Sequence, residues 1–509
     1  MRTSTLALIG AALLATGCAS IDWDAPKTHS TALARPPSPS LASALDAHPE
    51  ESGFLLLTDG IEAFGARLLM GEHAQASIDA QYYFILDDVT GHVFFLELLK
   101  AADRGVRVRL LLDDIATRGY DPGLAALDSH PHFEVRIFNP FTRSKGRLFS
   151  GVSEFGRVNR RMHNKSFTVD GIVTVIGGRN IGAEYFAARE DMNFGDLDVL
   201  GIGPVARDAG IAFDDYWNSE AAVPVSVLVA RPADPLVALA KVREALAGSL
   251  ATLDDTQYRA AVESTILEQV ELEPDILQWA PARVVYDAPE KSRTGTQADD
   301  AVADQLRAPL RKAIEEANEE LLVISPYFVP LESGVASLCA LPERGVRTAV
   351  VTNSLASTDV SAVHAGYAPY RKDLLECGVK LYEVRPDRRV SGAGRGGVGM
   401  SRSSLHAKSF VIDRRQLFVG SFNWDPRSVG INTEMGVLLD STSLAKNLAE
   451  ILESKISQGA YEVVLEDGKI RWVTHDDGQK VVLDKEPGTT FWQRFTAGFF
   501  KLLPIRGQL

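Results

Sequence analysis

Two histidines, His163 and His406, each stand two residues ahead of a lysine, Lys165 and Lys408. Five residues past each lysine comes an aspartate, Asp170 and Asp413, and ten residues further an asparagine, Asn180 and Asn423. The asparagines close the strings Gly177-Gly178-Arg179-Asn180 and Gly420-Ser421-Phe422-Asn423. Two copies with matching spacing are a repeat, not an accident. A pair of imidazoles with a pair of ammonium groups suits displacement at a phosphodiester. One neutral imidazole attacks phosphorus while the other carries the proton. The lysines and asparagine amides supply donors to the non-bridging oxygens as charge develops there.

The elements that must carry these residues are hairpins. Residues 165–170 alternate polar and apolar, Asp170-Gly171 is a turn signal, and 172–176 is a returning strand. The second copy repeats this over 409–413, a polar turn at 414–416, and 417–419. Side chains alternate across a strand, so His163 and Lys165 share one face. Asp170 and Asp413 fall on the other, where they hold the turn. Closing the hairpins is expected to bring Asn180 beside His163 and Asn423 opposite His406. Gly177 fits a place where backbone approaches a bound anion, and Ser421 adds a hydroxyl. These four form the expected substrate-binding set. Each imidazole also needs an orienting partner on its other nitrogen. Asp196 and Glu434 are the candidates, with a solvated strand-edge carboxylate as the alternative.

The repetition extends upstream. Arg104–Asp113 is matched by Arg344–Asn353, Tyr82-Tyr83-Phe84 loosely by Pro326-Tyr327-Phe328, and Phe133–Ile137 by Val379–Glu383. Each half reads as alternating strands and helices followed by the hairpin. The expected fold is therefore α/β: two homologous α/β/α halves related by a pseudo-twofold, with a composite active site between them.

These features resemble the phospholipase D superfamily, whose mark is a pair of H-x-K-x4-D motifs, over roughly Gly53 to Asp440. Ala80–Phe84, Ala101–Asp114, Asn159–Asp170 and His364-Ala-Gly-Tyr367 with Tyr370-Arg371 are similar to the C-type branch of bacterial cardiolipin synthases. The resemblance implies phosphatidyl transfer between phospholipids through a phosphohistidine, forming cardiolipin. It implies His163 as nucleophile, His406 as acid and base, and Asp170 and Asp413 counted with the catalytic set. Phosphatidylglycerol is the implied substrate, with phosphatidylethanolamine as a further candidate. No metal or other cofactor is expected, because the lysines do the electrostatic work. Gly178 departs from the family's usual serine. A phospholipase D or nuclease using the same site is the alternative, and an accessory protein stays open.

The net charge of −14, from 53 Lys+Arg against 67 Asp+Glu, argues against a nucleic-acid partner. Basic residues nevertheless gather ahead of both histidines, at Arg143, Lys145, Arg147, Arg157, Arg160 and Arg161, then Arg385, Arg388, Arg389, Arg395 and Arg402. They suggest a cationic rim for anionic headgroups, with solvated loop charge as the bland alternative. Residues 1–17 read as a secretory leader ending in Ala15-Thr-Gly-Cys18, which resembles a lipobox with Cys18 as the acylated residue. The expected location is the bacterial envelope, lipid-anchored at the membrane surface, on the periplasmic side. Beyond it the chain reads as a flexible tether (18–50), the first half (51–217), a helical connector (218–300), the second half (301–445) and a C-terminal segment (446–509). That last segment contains a small hairpin at 469–485 and an amphipathic helix from Phe491, fit either for a bilayer or for packing on the body. Cys339 and Cys377 could pair in an exported protein, though buried thiols are the commoner outcome.

Overall fold

The computed structural model describes residues 21–143, 154–186, 195–250, 274–293, 305–386, 405–476, 479–500 and 507. Cys18 and the leader, residues 251–273 of the expected helical connector, and Lys145, Arg147, Arg388, Arg389, Arg395 and Arg402 lie outside the described residues.

The first sheet is built from β1 (Ser52–Leu57), β2 (Ser77–Tyr82), β3 (Arg107–Asp113), β4 (Phe133–Phe138), β5 (Ser166–Val169), β6 (Val173–Gly177), β7 (Asp198–Ile202), β8 (Ala222–Pro224) and β9 (Gln278–Ala280). Their order across it is β8-β4-β3-β2-β5-β6-β7-β1-β9. Strands β2, β3 and β4 run parallel. Parallel neighbours need crossover connections, which the helices Val89–Asp103 and Asp121–Leu127 supply. Asp88 starts the first of these helices by accepting the Gly91 amide at 2.9 Å.

The second sheet comprises β10 (Ala282–Tyr286), β11 (Glu320–Ile324), β12 (Arg347–Asn353), β13 (Lys380–Val384), β14 (Ser409–Ile412), β15 (Gln416–Gly420), β16 (Met435–Asp440), β17 (Ala460–Glu466), β18 (Lys469–Asp476) and β19 (Gln479–Leu483). Read from β17, its order is β17-β13-β12-β11-β14-β15-β16-β10. That is the order β8-β4-β3-β2-β5-β6-β7-β1 of the first sheet, strand for strand. The 469–485 hairpin extends this sheet past β17.

Two spans differ from the sequence reading. The stretch 218–300 was expected to be a helical connector. It does hold the helix Pro235–Leu250, but it also gives β8 and β9 to the first sheet and β10 to the second. Strands of three to five residues are too short to show a period. The 18–50 tether is, from Lys27 on, bound across the first half. Arg136 donates to the Thr28 carbonyl, Arg109 to that of Ser30 and Arg107 to that of Thr31. These bonds reach the strap's backbone carbonyls, which composition does not reveal, while Lys27 adds a bond to the Ala222 carbonyl at 3.0 Å and Arg35 one to Asp170 at 2.8 Å.

One face of each sheet, with the long helices Pro204–Asn218 and Thr442–Gly459, contributes to a continuous core that joins the halves. Phe54, Ile176 and Val199 meet Val411, Val419, Val437 and Leu448 there. Separate cores lie behind each sheet. Cys339 and Cys377, whose pairing the sequence left open, form a disulfide with Cα atoms 5.5 Å apart.

Candidate active site

Both hairpins close as the sequence predicts. Ser166 pairs with Ile176 and Val169 with Val173, and Ser409 pairs with Val419 and Ile412 with Gln416. In the three-residue loops between these pairs, Asp170 (φ 56°), Gly171 (φ 64°), Asp413 (φ 53°) and Arg414 (φ 48°) take the left-handed conformation that lets the chain reverse tightly.

The aspartates sit at these turns, away from the imidazoles by about 7 extended residues, or roughly 20 Å. Asp170 accepts the amides of Gln75, Ala76 and Ser77 at 2.7–3.0 Å. Asp413 does the same for Asn318, Glu319 and Glu320 at 2.8–3.0 Å. Their place among the catalytic residues is therefore corrected. They pin each hairpin to the strand beside it.

At the opposite end each motif is laid on the segment that carries the other half's acid. The His163 amide donates to the Thr433 carbonyl at 2.9 Å, and the amides of His406 and Ala407 both donate to that of Gly195 at 3.0 Å. The next residue along, Glu434 or Asp196, thereby reaches the opposite imidazole. His163 Nδ1 lies 2.9 Å from Glu434 Oε2, and His406 Nδ1 lies 2.5 Å from Asp196 Oδ2. The sequence named both acids; their exchange between halves comes from this backbone pairing.

Burial alone would raise both acids, but His163 and Lys165 overcome it at Glu434, and His406 and Lys408 overcome it at Asp196, so both stay ionised. A carboxylate only accepts, so each Nδ1 carries the proton and each Nε2 keeps its lone pair. Burial lowers His163 to about 4. It also lowers His406, where the Lys408 charge acts in the same direction. The two imidazole side chains retain 11% and 14% of their surface.

The lysines are buried beneath them. Lys165 Nζ donates to the His163 carbonyl at 2.5 Å, and Lys408 donates likewise to that of His406. Burial brings Lys165 to about 7 and Lys408 to about 8. Glu434 and Asp196 act on both ammonium groups, and the Lys408 charge further lowers Lys165. The four charges therefore share one site that spans the halves.

Asn180 hydrogen-bonds the Tyr185 hydroxyl, and the Tyr185 ring stands edge-on to His406 with centroids 5.1 Å apart. It is thus tied to the neighbour of the opposite imidazole. Tyr83 takes the matching place beside His163, at 5.0 Å. The side-chain oxygens of Asn180 and Asn423 are buried and without a hydrogen-bond partner among the described residues. Such groups are costly unless a ligand satisfies them.

Gly177 and Ser421 each make close contacts within the protein. A Cβ at Gly177 would lie 2.6 Å from Asp198 Cα, so glycine permits the close β6–β7 packing. Ser421 Oγ donates to Glu434 Oε2 at 2.5 Å and accepts the Met435 amide at 3.0 Å. Ser428, absent from the sequence reading, donates to Glu434 Oε1 at 2.8 Å. Tyr185 was also missed, since nothing in its local sequence marks it; Tyr83 was seen only as part of the repeat.

The expected cationic rim is corrected where it is described. Arg161 is buried against Asp113 at 3.2 Å, Arg143 binds Asp114 and Asp121, Arg157 binds Glu154, and Arg160 donates to backbone carbonyls. These cations hold loops. Among the described residues, His364, Glu383 and Glu486 are spaced to hold a metal. The Arg371 guanidinium already fills that space, 2.7 Å from each of the three.

The family profile described as "Cardiolipin synthase, PLD-like domain" matches residues 71–198 and 310–456. Cardiolipin synthase C of Escherichia coli (strain K12) is 40% identical over 92% of this chain and 99% of its own. Cardiolipin synthase A of Pseudomonas syringae pv. syringae is 25% identical over 84% of this chain and 73% of its own. The crystal structure of phosphatidylserine synthase from Haemophilus influenzae Rd KW20 aligns with a TM-score of 0.53. It covers 83% of this chain and 92% of that one at 13% identity, which speaks to the fold alone. No helix among the described residues is long and apolar enough to cross a membrane. With paired half-sites on matching sheets and relatives of this similarity, the chain belongs to the cardiolipin synthase family of phospholipase D-like proteins.

Proposed function

We infer that the protein is a phosphatidyltransferase that forms cardiolipin. The observation that carries this is the crosswise assembly, in which each half's histidine is oriented by the other half's acid. Only a joined site presents two imidazoles, both with free Nε2 atoms, to one phosphodiester.

In the proposed reaction the donor is phosphatidylglycerol. Its phosphate anion lies over Lys165 and Lys408 and restores their full charge. Neutral His163 attacks phosphorus through Nε2, and the bond from phosphorus to the glycerol oxygen breaks. His406, protonated in the field of the bound phosphate, hands its proton to that oxygen, and glycerol leaves. His406, now neutral, takes the proton from a primary hydroxyl of a second phosphatidylglycerol. The new P–O bond forms as the P–N bond breaks, and cardiolipin results. Asn180 and Asn423 hold the phosphate oxygens. Phosphatidylethanolamine would serve as donor by the same steps, releasing ethanolamine. Water in place of the second lipid would give phosphatidic acid, the hydrolase reading.

The test is rapid quenching in denaturant at mildly alkaline pH, where a phosphohistidine survives, of protein incubated with phosphatidylglycerol labelled in its phosphate and acyl chains. Label on His163, lost in His163→Ala, together with labelled cardiolipin, supports the reading. Phosphatidic acid as the sole lipid product overturns it. We also propose that Cys18 is acylated, fixing the enzyme to the envelope on the periplasmic side. The lipobox-like Ala15–Cys18 supports this. Fatty-acid labelling abolished by Cys18→Ser would bear it out, and unchanged labelling would refute it.

A further inference from the structure

We propose that the C-terminal helix, Phe491–Phe500, is a surface that docks onto a phospholipid bilayer and seats the catalytic cleft against it. Phe491, Trp492, Phe495 and Phe499 are 65%, 70%, 57% and 52% exposed. At 3.6 residues per turn these positions fall within about 100° of arc, so the four rings form one stripe. Phe491, Trp492 and Phe495 pack on one another with centroids 5.7–6.3 Å apart, which shapes the stripe before anything binds. The opposite side of the helix is the one fixed to the body. Ala497 is buried against Leu355 and Ala365, with Phe500 beside it.

The mounting is firm and lies close to the chemistry. Just ahead of the helix, Glu486 is bound by the buried Arg371 at 2.7 Å, and its carbonyl accepts the Thr489 hydroxyl at 2.7 Å. Leu355, on which Ala497 rests, lies four residues before Asp359. Asp359 accepts the Tyr327 hydroxyl at 2.7 Å, and its charge acts on Lys408. One short loop thus joins the aromatic stripe to the edge of the active site.

The occupant is a bilayer rather than a protein groove, for two reasons. The inferred reaction takes two-tailed lipids on both sides, and this proposal rests on that reading. In addition, residues 489–509 contain no Asp or Glu but include Arg494, Lys501 and Arg506, in a chain whose net charge is −14. A segment that combines exposed aromatic rings with a net positive composition complements an anionic lipid surface.

The test is flotation of the mature chain lacking the leader and the acylated Cys18, so that no lipid anchor contributes, with vesicles of phosphatidylglycerol and phosphatidylethanolamine, comparing wild type with Phe491→Ser/Trp492→Ser. Both positions are exposed, so the fold should be kept; a circular dichroism melt checks this. Vesicle binding should weaken at least tenfold in the variant, and cardiolipin formation on vesicles should fall with it. Turnover of monomeric dihexanoyl phosphatidylglycerol should stay unchanged. Equal vesicle binding by a folded variant would overturn the docking surface whatever the activity. If wild type makes no transfer product from the short-chain lipid, the failure lies with the reaction, and flotation still decides the surface.

Discussion

The two half-sites reach the same geometry with different parts. In the second half a long acid, Glu434, is steadied by two hydroxyls, Ser421 at 2.5 Å and Ser428 at 2.8 Å. In the first half the acid is one methylene shorter, and Asp196 Oδ1 takes its own neighbour's amide, Leu197, at 2.9 Å. The backbone must then come closer. A Cβ at Gly178 would stand 2.1 Å from Asp196 Oδ1, so the family's serine has no room here. The lost hydroxyl is thus part of an exchange of acid length for backbone approach. At the other end of the sheets the halves have parted. Arg107, Arg109 and Arg136 bind the strap in the first. In the second, Arg347, Ala349 and Tyr382 line an open cavity of about 650 Å³. What both imidazoles must have is held equal, and the rest has drifted.

The largest test of that equality removes the acids. Glu434→Gln and Asp196→Asn should each lower kcat for cardiolipin formation by roughly 10²–10⁴-fold, the scale on which an orienting acid matters to a catalytic imidazole. The two losses should differ in kind. An aryl phosphodiester, whose leaving group needs no proton, should restore phosphohistidine formation in Asp196→Asn but not in Glu434→Gln. Equal rescue of both would mean that the halves do not divide the roles of nucleophile and acid.

A second contrast concerns stability. Only the second half carries a disulfide, closing a segment with a sequence separation of 38. In the chain-entropy view such a loop contributes about 4 kcal/mol. Reduction should lower the urea midpoint of the second half by a corresponding amount and leave kcat unchanged in native buffer. Loss of both together would tie the bridge to the site.

Much of this was legible in the sequence because the signals were local or repeated. The hairpins showed through period-two alternation and Asp170-Gly171, and the shared sheet order showed through Arg104–Asp113 and its partner Arg344–Asn353. What stayed hidden depends on contacts across the chain. The crossing of Glu434 to His163 needs the Thr433 carbonyl to meet the His163 amide, a pairing between residues 270 apart. The contacts of Gly177 with β7 and of Ser421 with Glu434 stayed hidden for the same reason, since these groups are neighbours only after folding. The basic residues before His163 looked like a surface for lipid because their partners, Asp113 and Asp114 among them, lie on another strand end.

The exchange between acid length and backbone approach can be tested directly. Gly178→Ser should push Asp196 off His406 and cost roughly 10²-fold in kcat, the scale of an ångström's misplacement. Gly178→Ser combined with Asp196→Glu recreates the second half's arrangement in the first. It should recover most of that loss, giving strong coupling in a double-mutant cycle. Additive losses would mean that the two positions are not matched.

The smallest difference lies in the lysines. Lys165 is lowered to about 7, chiefly by burial, and the Lys408 charge adds to the lowering. Lys408 stands at about 8, lowered by burial while the charges of Asp196, Glu434, Asp359 and Asp425 all raise it. Both must be protonated to bind phosphate, so kcat/KM for the aryl phosphodiester, which needs no proton from His406, should fall as pH rises, first through 7 and then more steeply past 8. His163 must be neutral, so the acid limb should come only as pH drops through about 4. Each limb is worth about tenfold per pH unit per group. Asp359→Asn removes one of the charges supporting Lys408 and should draw the upper break downward toward that of Lys165. An alkaline limb that stays in place would show that the second-half lysine does not owe its proton to that loop.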